Sequence, residues 1–400
     1  MYRVSARLVL AATIAANLAG RSSADDDQVD PFVEDTSLTA EFIIRGQSPA
    51  PTQLRVAQGM SPTPDMYYTP GATNICPPGG SVCLPPMDPY QGAPCGNPCS
   101  WQPFHFGLFG EFIYLQARNA DVPFAVPQDG IVLPGSVPTG AAGVADPGFA
   151  PGFRVGGYFA MGPEARVIAT WTWFSSTTDT TISAGAPSVI NPLVLFPGTF
   201  NAGFTSQTAS ADYDLEFQFI DIDYQVVADC CNTYWWGYSG GARYARLVQD
   251  FNANFPFAPP DGETALSTSS TFEGVGPRAG LEGERVLFPS CGLRAYGKSS
   301  ASFLVGKFQS NYLQTNQFNG VEANTSLKQD RIVPILDFEL GLAWVSPREH
   351  VRISAGYLVQ AWFNSITSES WIESVQNRGY DPGASTVTFD GLTARGEIRF

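Results

Sequence analysis

The chain is poor in charge, poor in histidine and without a long apolar helix, and each shortage removes a class of protein. Only 15% of its 400 residues are charged, and the formal net charge is −15. No basic stripe is present that would neutralise a phosphate backbone, which excludes a nucleic-acid binder. His105 and His350 are the two histidines of the chain, a thin supply for general-base or metal chemistry. Beyond the first two dozen residues no run of 18 apolar residues occurs, so a membrane crossing would have to be made by strands. No Cys-x-x-Cys pair supports dithiol redox catalysis.

What is present points to strands. Forty glycines, 32 prolines and 13% aromatics make a poor recipe for helices and a good one for sheets joined by loops. At the amino terminus Arg3 and Arg7 precede an apolar run from Leu8 to Ala19. Small residues Ser22-Ser23-Ala24 and three aspartates follow. This predicts a secretory signal peptide over residues 1–24, too short to span a bilayer as a helix. No cysteine lies near the cleavage site, so no lipid anchor is expected there.

Residues 25–104 are rich in Pro, Gly, Asp and Gln. Pro49-Ala50-Pro51, Pro62-Thr63-Pro64, Pro77-Pro78-Gly79-Gly80 and Pro85-Pro86 interrupt every candidate element. The segment reads as a disordered periplasmic arm, with local order expected only over Leu38 to Ile44. Cys76, Cys83, Cys95 and Cys99 fall within it. Their intervals of six, eleven and three residues lack the two close pairs of a zinc cluster. Disulfides in an oxidising compartment are therefore the expectation.

From Phe106 the pattern becomes a regular beat of alternating segments, which predicts strands over 106–118, 151–161, 164–175, 211–227, 233–248, 271–286, 292–309, 331–345, 350–364 and 386–400. Short connections at Gly162-Pro163, Asp229 to Asn232, Leu287 to Cys291 and Ser346 to Glu349 alternate with long ones near 119–150, 176–210, 249–270, 310–330 and 365–385. That is the arrangement of an antiparallel up-and-down transmembrane β-barrel, here over residues 105–400. About ten strands are expected, within a range of 8–14, because Val189 to Phe204 has apolar patches that would suit another hairpin. An even count puts both barrel ends on the periplasmic side. The closing strand shows the alternation at its cleanest. Leu392, Ala394, Gly396, Ile398 and Phe400 take one face, and Thr393, Arg395, Glu397 and Arg399 the other. Such a strand, ending on an aromatic carboxyl terminus, suits recognition by the barrel-assembly machinery.

The fourth strand breaks phase. Tyr213, Leu215, Phe217 and Phe219 are apolar at odd positions, whereas Ile220, Ile222, Tyr224 and Val226 are apolar at even ones. Keeping one apolar face through Phe219-Ile220 needs an inserted residue, so a β-bulge is predicted there. The competing account places the residues before Ile220 above the membrane.

The polar faces supply the candidate lumen: Glu111, Arg154, Arg166, Asp221, Asp223, Arg243, Arg278, Glu282, Glu284, Arg294, Lys298, Asp337, Glu339, Arg352, Arg395, Glu397 and Arg399. In a narrow barrel such charges pair across strands and fill the interior. In an open one they line a hydrated pore that selects solutes by charge and width. Asp221 with Asp223, or Asp337 with Glu339, would suit a glycosidase-like pair, but acids so spaced on a lumen face more often answer arginines. His350 and Ser354 both point inward by spacing, away from the lipid-facing surface where a lipid hydrolase works. No catalytic, metal or cofactor site is assigned. Cys230-Cys231 and Cys291 lie in two short turns at one rim, and a bridge from one of the pair, Cys231, to Cys291 is expected in place of a vicinal disulfide.

Gly152-Phe153-Arg154-Val155-Gly156-Gly157-Tyr158, Trp171-Thr172-Trp173-Phe174, Leu215 to Tyr224, Gly240-Gly241-Ala242-Arg243-Tyr244-Ala245, Phe272-Glu273-Gly274-Val275-Gly276-Pro277-Arg278 and the closing strand follow one another in an order. That order resembles the Legionella-type major outer membrane protein family of pore-forming barrels over about residues 106–400. The Pro- and Cys-rich arm is not part of that pattern. The resemblance implies a bacterial outer-membrane protein contacting lipid and small solutes, and it supplies no catalytic residues. The expected function is a pore for passive diffusion of small hydrophilic solutes, and the alternative is a structural or adhesive surface barrel with a plugged lumen and functional extracellular loops. A cross-section filled by Arg–acid pairs is what separates them. A secreted soluble β-sandwich lectin is the third reading.

Overall fold

The computed structural model describes residues 104–130, 136–199, 206–231, 233–257 and 262–400. The signal peptide, the proline-rich arm and its four cysteines lie outside the described residues.

Period-two alternation gives ten strands that close on themselves. In chain order these are β1 (Phe106–Arg118), β4 (Ala150–Ala160), β5 (Ala165–Ser183), β7 (Thr208–Cys230), β8 (Tyr234–Phe257), β9 (Gly262–Phe288), β10 (Leu293–Asn316), β11 (Gly320–Val345), β12 (Val351–Ser365) and β13 (Ser385–Arg399). Each pairs antiparallel with its chain neighbour in this series. The ring shuts because β1 pairs with β4 on one side and β13 on the other, Glu111 lying opposite Arg154 and Arg395. Closure leaves no barrel edge with unpaired backbone groups, the condition for strands in lipid. Both ends of the barrel chain meet at the short-turn end, where Phe400 N–H donates to Phe106 O at 2.8 Å and the two rings stack.

Three further strands sit outside the ring at the long-loop end. β2 (Val122–Gln128) pairs with β3 (Gly143–Ala145) and with β6 (Val189–Pro192) in a separate small sheet. Of the additional hairpin expected over Val189 to Phe204, the described residues form β6, which pairs with β2 in the small sheet, and residues 200–204 lie outside the described residues. The last long connection carries a helix, α1 (Ser368–Gln376). Thr367 caps it, accepting from Ser370 N–H at 3.2 Å, while Ser370 Oγ accepts from Thr367 N–H at 3.0 Å.

Several boundaries differ from expectation. Residues 249–270 and 310–330 are mostly strand, not loop: β8 runs to Phe257, β9 starts at Gly262, β10 runs to Asn316 and β11 starts at Gly320. The predicted bulge at Phe219-Ile220 is absent. Thr172, Trp171 and Tyr244, Ala245 face these two residues in unbroken register, and the irregularity in β7 falls between Val227 and Asp229. The pleat does not change; the surroundings do. Below Phe219 the outward face carries Ile220, Ile222 and Tyr224, all exposed, and above it the inward face carries the buried Tyr213, Leu215, Phe217 and Phe219.

The inversion occurs at one level around much of the barrel. Gln218, Arg246, Glu273, Lys307 and Asp330 are successive cross-strand partners on β7 to β11 and form a polar row on the outside. Below it, β11 presents Ile332, Leu336, Phe338, Leu340, Leu342 and Trp344 outward. From Ile332 to Trp344 a strand tilted by about 40° rises about 30 Å, close to the about 25 Å band a barrel presents to lipid. Above the row the outside turns polar, with Asp212 and Asp214 on β7 and Gln309 and Asn311 on β10 exposed.

Candidate functional site

Every charged residue assigned to the lumen from the sequence faces the barrel interior at the level of the apolar band. Many of them bond to one another across the barrel. Arg243, 3% exposed, is held by both Asp221 oxygens at 2.7 and 2.9 Å and by Asp337 at 2.8 Å, with its guanidinium over the Phe219 ring. Arg278 pairs with Asp223 and donates to Ser300, which in turn donates to Asp337 at 2.8 Å. A second tier joins Arg154 to Glu111 at 2.7 Å and to Glu339 at 3.6 Å. Lys298 approaches Glu339 within 3.7 Å, and Arg166 meets Gln225 and Glu282. Tyr296 donates to Glu339 at 2.7 Å from a space cleared by Gly341 and Gly356, where a Cβ would collide with its ring or hydroxyl.

The third tier lies at the short-turn mouth. Arg352 meets Glu284 at 2.6 Å, and Glu397 receives Arg395 at 2.9 Å and Arg399 at 2.8 Å. Arg294 is answered by Glu349 at 3.0 Å. Glu349 was missed as an interior partner because it sits in a turn, at φ 58°, where no strand periodicity assigns a face.

Several of these bonds join strands that are not neighbours in the ring: Arg154 on β4 with Glu339 on β11, Arg243 on β8 with Asp337 on β11, Arg352 on β12 with Glu284 on β9. They therefore span the lumen. A cavity left among them has a volume of about 130 Å³, room for about ten waters.

Above the charged tiers aromatic rings of non-neighbouring strands meet across the lumen as a septum. Phe174 on β5 and Phe217 on β7 both pack on Phe389 of β13, at centroid distances of 5.7 and 4.7 Å. Trp362 on β12 meets Phe219 at 5.2 Å and Phe272 of β9 at 6.4 Å. Over this septum lies α1, burying Trp371, Ile372 and Val375. Gln249 of β8 ties the helix down, donating to Ile366 O at 2.9 Å and accepting from Ser368 N–H. Gln376 donates to Leu193 O and Leu195 O, so the second and last long connections are knitted together over the opening. A Thr367-x-x-Ser370 cap followed by Trp371, Ile372 and Val375 at helical spacing was the signal in the sequence for this element.

The remaining candidates separate. Asp221 with Asp223 and Asp337 with Glu339 are all answered by basic side chains. His350 Nδ1 is 3.1 Å from Arg399 O at the rim, whereas Ser354 accepts from Arg352 Nη1 within the lumen. Among the described residues no group of three or more His, Cys, Asp or Glu could hold a metal, and no helix is long and apolar enough to cross a membrane. The expected bridge to Cys291 is not formed. Cys291 is a free, exposed thiol, its Sγ 3.6 Å from Phe288 O within its own tight turn, while Cys230 and Cys231 are both disulfide-bonded.

A closed ring of ten antiparallel strands, apolar outside and ion-paired inside, defines the class of transmembrane β-barrels of bacterial outer membranes. The chain belongs to the family described as the Legionella pneumophila major outer membrane protein precursor, whose pattern matches residues 96–400, and it is a protein of the bacterial outer membrane. No curated protein matches it in sequence. Among solved structures it is similar to the outer membrane protease OmpT of Escherichia coli at 12% identity and a TM-score of 0.46, covering 76% of this chain and 100% of that one. It is also similar to the toluene transporter TodX of Pseudomonas putida at 6% identity and a TM-score of 0.26, covering 74% and 89%. CarO of Acinetobacter baumannii matches at 8% identity and 0.23, covering 72% and 97%.

Proposed function

We propose that this chain is a surface barrel of the outer membrane whose lumen is closed to solutes, with the long-loop end turned outward from the cell. One observation carries the reading: ring contacts between non-neighbouring strands, Phe217 with Phe389 and Phe272 with Trp362, close the cross-section above ion pairs that also cross it. A solute would have to displace an apolar layer and separate charges held from water, and truncating one member of such a buried pair costs about 3–5 kcal/mol. The barrel then serves as a membrane anchor for a rigid collar, and interaction falls to the long connections. No reaction is assigned to it. The strand ending at Phe400, whose ring points outward, is the segment we assign to the assembly machinery.

The test is conductance. Purified protein in planar bilayers is expected to give no sustained stepwise current, and steady steps from the unmodified chain would refute closure. A pore for small hydrophilic solutes is the second reading, favoured by the charged chamber with its cavity of about 130 Å³ beneath the septum. It requires the 366–384 segment to withdraw and the rings of Phe217, Phe389, Phe272 and Trp362 beneath it to part. Steady steps from the full chain, larger when that segment is replaced by a short turn, would favour it.

A further inference from the structure

A trench runs along the outer wall of the barrel within the lipid-facing band. Tyr296, Lys298, Ser300 and Ser302 of β10 point into the lumen, so Ala295, Gly297, Ser299 and Ala301 between and before them point out. Beside them the register places Leu342, Leu340, Phe338 and Leu336 of β11, each about half exposed, as one wall. Leu281 of β9 and, behind Gly283, Trp236 of β8 form the other. Phe303, the next outward residue of β10, closes the upper end. The space between Trp236, Leu281 and Phe338 has a volume of about 250 Å³ over a floor of Gly283, Gly297 and Ser299. Elsewhere in the band, among the described residues, small outward positions come at most in pairs, as Gly240 with Ala242 or Ala394 with Gly396.

The lower end of the trench is basic. Arg285 of β9 lies opposite Ala295, exposed on the outer face, with Tyr234 on its other side. Among the described residues Arg285 has no ion pair, and the Tyr234 hydroxyl donates to Asp229 at 3.0 Å. A long basic side chain at such a place keeps its stem on apolar surface and carries its charge to the level of the lipid phosphates.

We propose that this trench is a binding site for one phospholipid of the leaflet at the short-turn end, with an acyl chain laid along β10 and the phosphate held by Arg285. Length and charge both select that occupant. Six residues from Ala295 to Ala301 span about 20 Å of strand, and a tilt of about 40° makes that about 15 Å of depth, half of a hydrocarbon core of about 30 Å. The walls stand on strands about 10 Å apart, which leaves the width of a single chain between their side chains. A guanidinium without a protein carboxylate matches a phosphate diester, which offers it two oxygens. The trench faces away from the lumen, so the site holds whether or not the lumen conducts.

The full chain in detergent, freed of co-purified lipid, is titrated with phosphatidylglycerol and weighed by native mass spectrometry. One lipid per chain is expected to bind about tenfold more tightly than any that follow. Arg285→Gln removes the partner of the phosphate, and Ser299→Leu fills the trench with a side chain suited to lipid. Each is expected to weaken the first site about tenfold, with folding checked by heat-modifiable migration. Lys307→Gln, outward at the opposite edge of the band, is expected to leave that site unchanged. Lipid uptake without a distinct first site, unchanged binding in either trench variant, an equal loss in Lys307→Gln, or a dimer that Ser299→Leu dissociates overturns the proposal.

Discussion

Replacing Trp362 by alanine separates the septum from the rest of the barrel. The indole is fully buried and touches Phe217, Phe219 and Phe272. About 200 Å² of aromatic surface at about 25 cal/mol per Å² amounts to about 5 kcal/mol. Against this, its Nε1–H is buried without a partner, and deleting an orphaned donor returns about 1–3 kcal/mol. Burial wins, and a net loss of about 3 kcal/mol is expected, inside the usual range for a core tryptophan cut to alanine. Trp362→Phe keeps a ring and removes the orphan, so it should stay within about 1 kcal/mol of the parent. Urea unfolding in phospholipid vesicles measures both, provided the slopes agree. The alanine variant should still not conduct, because an isolated apolar hole stays dry. A loss below 1 kcal/mol for alanine, or an equal loss for phenylalanine, refutes the septum as a packed barrier.

Arg243→Met leaves Asp221 and Asp337 buried without their principal partner, at an expected cost of about 3–5 kcal/mol; adding Asp221→Asn should recover a large part, and an additive double-mutant cycle would contradict the pairing. Asp212, outside the lipid-facing band, lies opposite Asp179, and burial first, then the hydrogen bond and charge of Asp179, raise its carboxyl above the ordinary range. A raised carboxyl is a native-state cost present above its folded pKa and relieved as pH falls through it. Asp212→Asn should therefore slow amide exchange in the β5–β7 extension at neutral pH, with the difference vanishing in mildly acid buffer. Thr367→Ala removes the α1 cap and should loosen residues 368–376 by about 1 kcal/mol, read as faster exchange there and unchanged exchange in β8.

The lower half of the barrel was legible because lipid enforces the pattern: with hydrocarbon on one side, Ile353, Ala355 and Tyr357 can only alternate with Arg352 and Ser354 in one sense. The upper half was not, because water lies outside it and the sense reverses. Asp250, Asn252 and Asn254, alternating with Phe251, Ala253 and Phe255, look like loop if the apolar residues are required to face out, yet they are strand with the rings turned in. The same reversal at Phe219-Ile220 imitated a bulge. Cys291 could not be judged from spacing, since pairing depends on how far apart two turns of one rim stand. Partner choice among the interior charges was equally hidden, because bonds such as that of Arg154 to Glu339 join residues far apart in sequence and on separate strands.

The level of the polar row accounts for the ring contacts across the barrel as well as for the change of its outer face. Below it the inward positions are those that lipid leaves for polar residues, and in a ring of ten strands they lie close enough to pair across the axis. Above it the outward positions must be polar to meet water, so the inward ones become the apolar face by default. A ring that narrow brings opposing apolar faces into contact, as Phe174, Phe217 and Phe389 show. Strands that stopped at the row would keep only the charged tiers. It is their continuation past the row, as far as Asn316 in β10 and from Gly320 in β11, that brings aromatic rings of non-neighbouring strands together across the barrel.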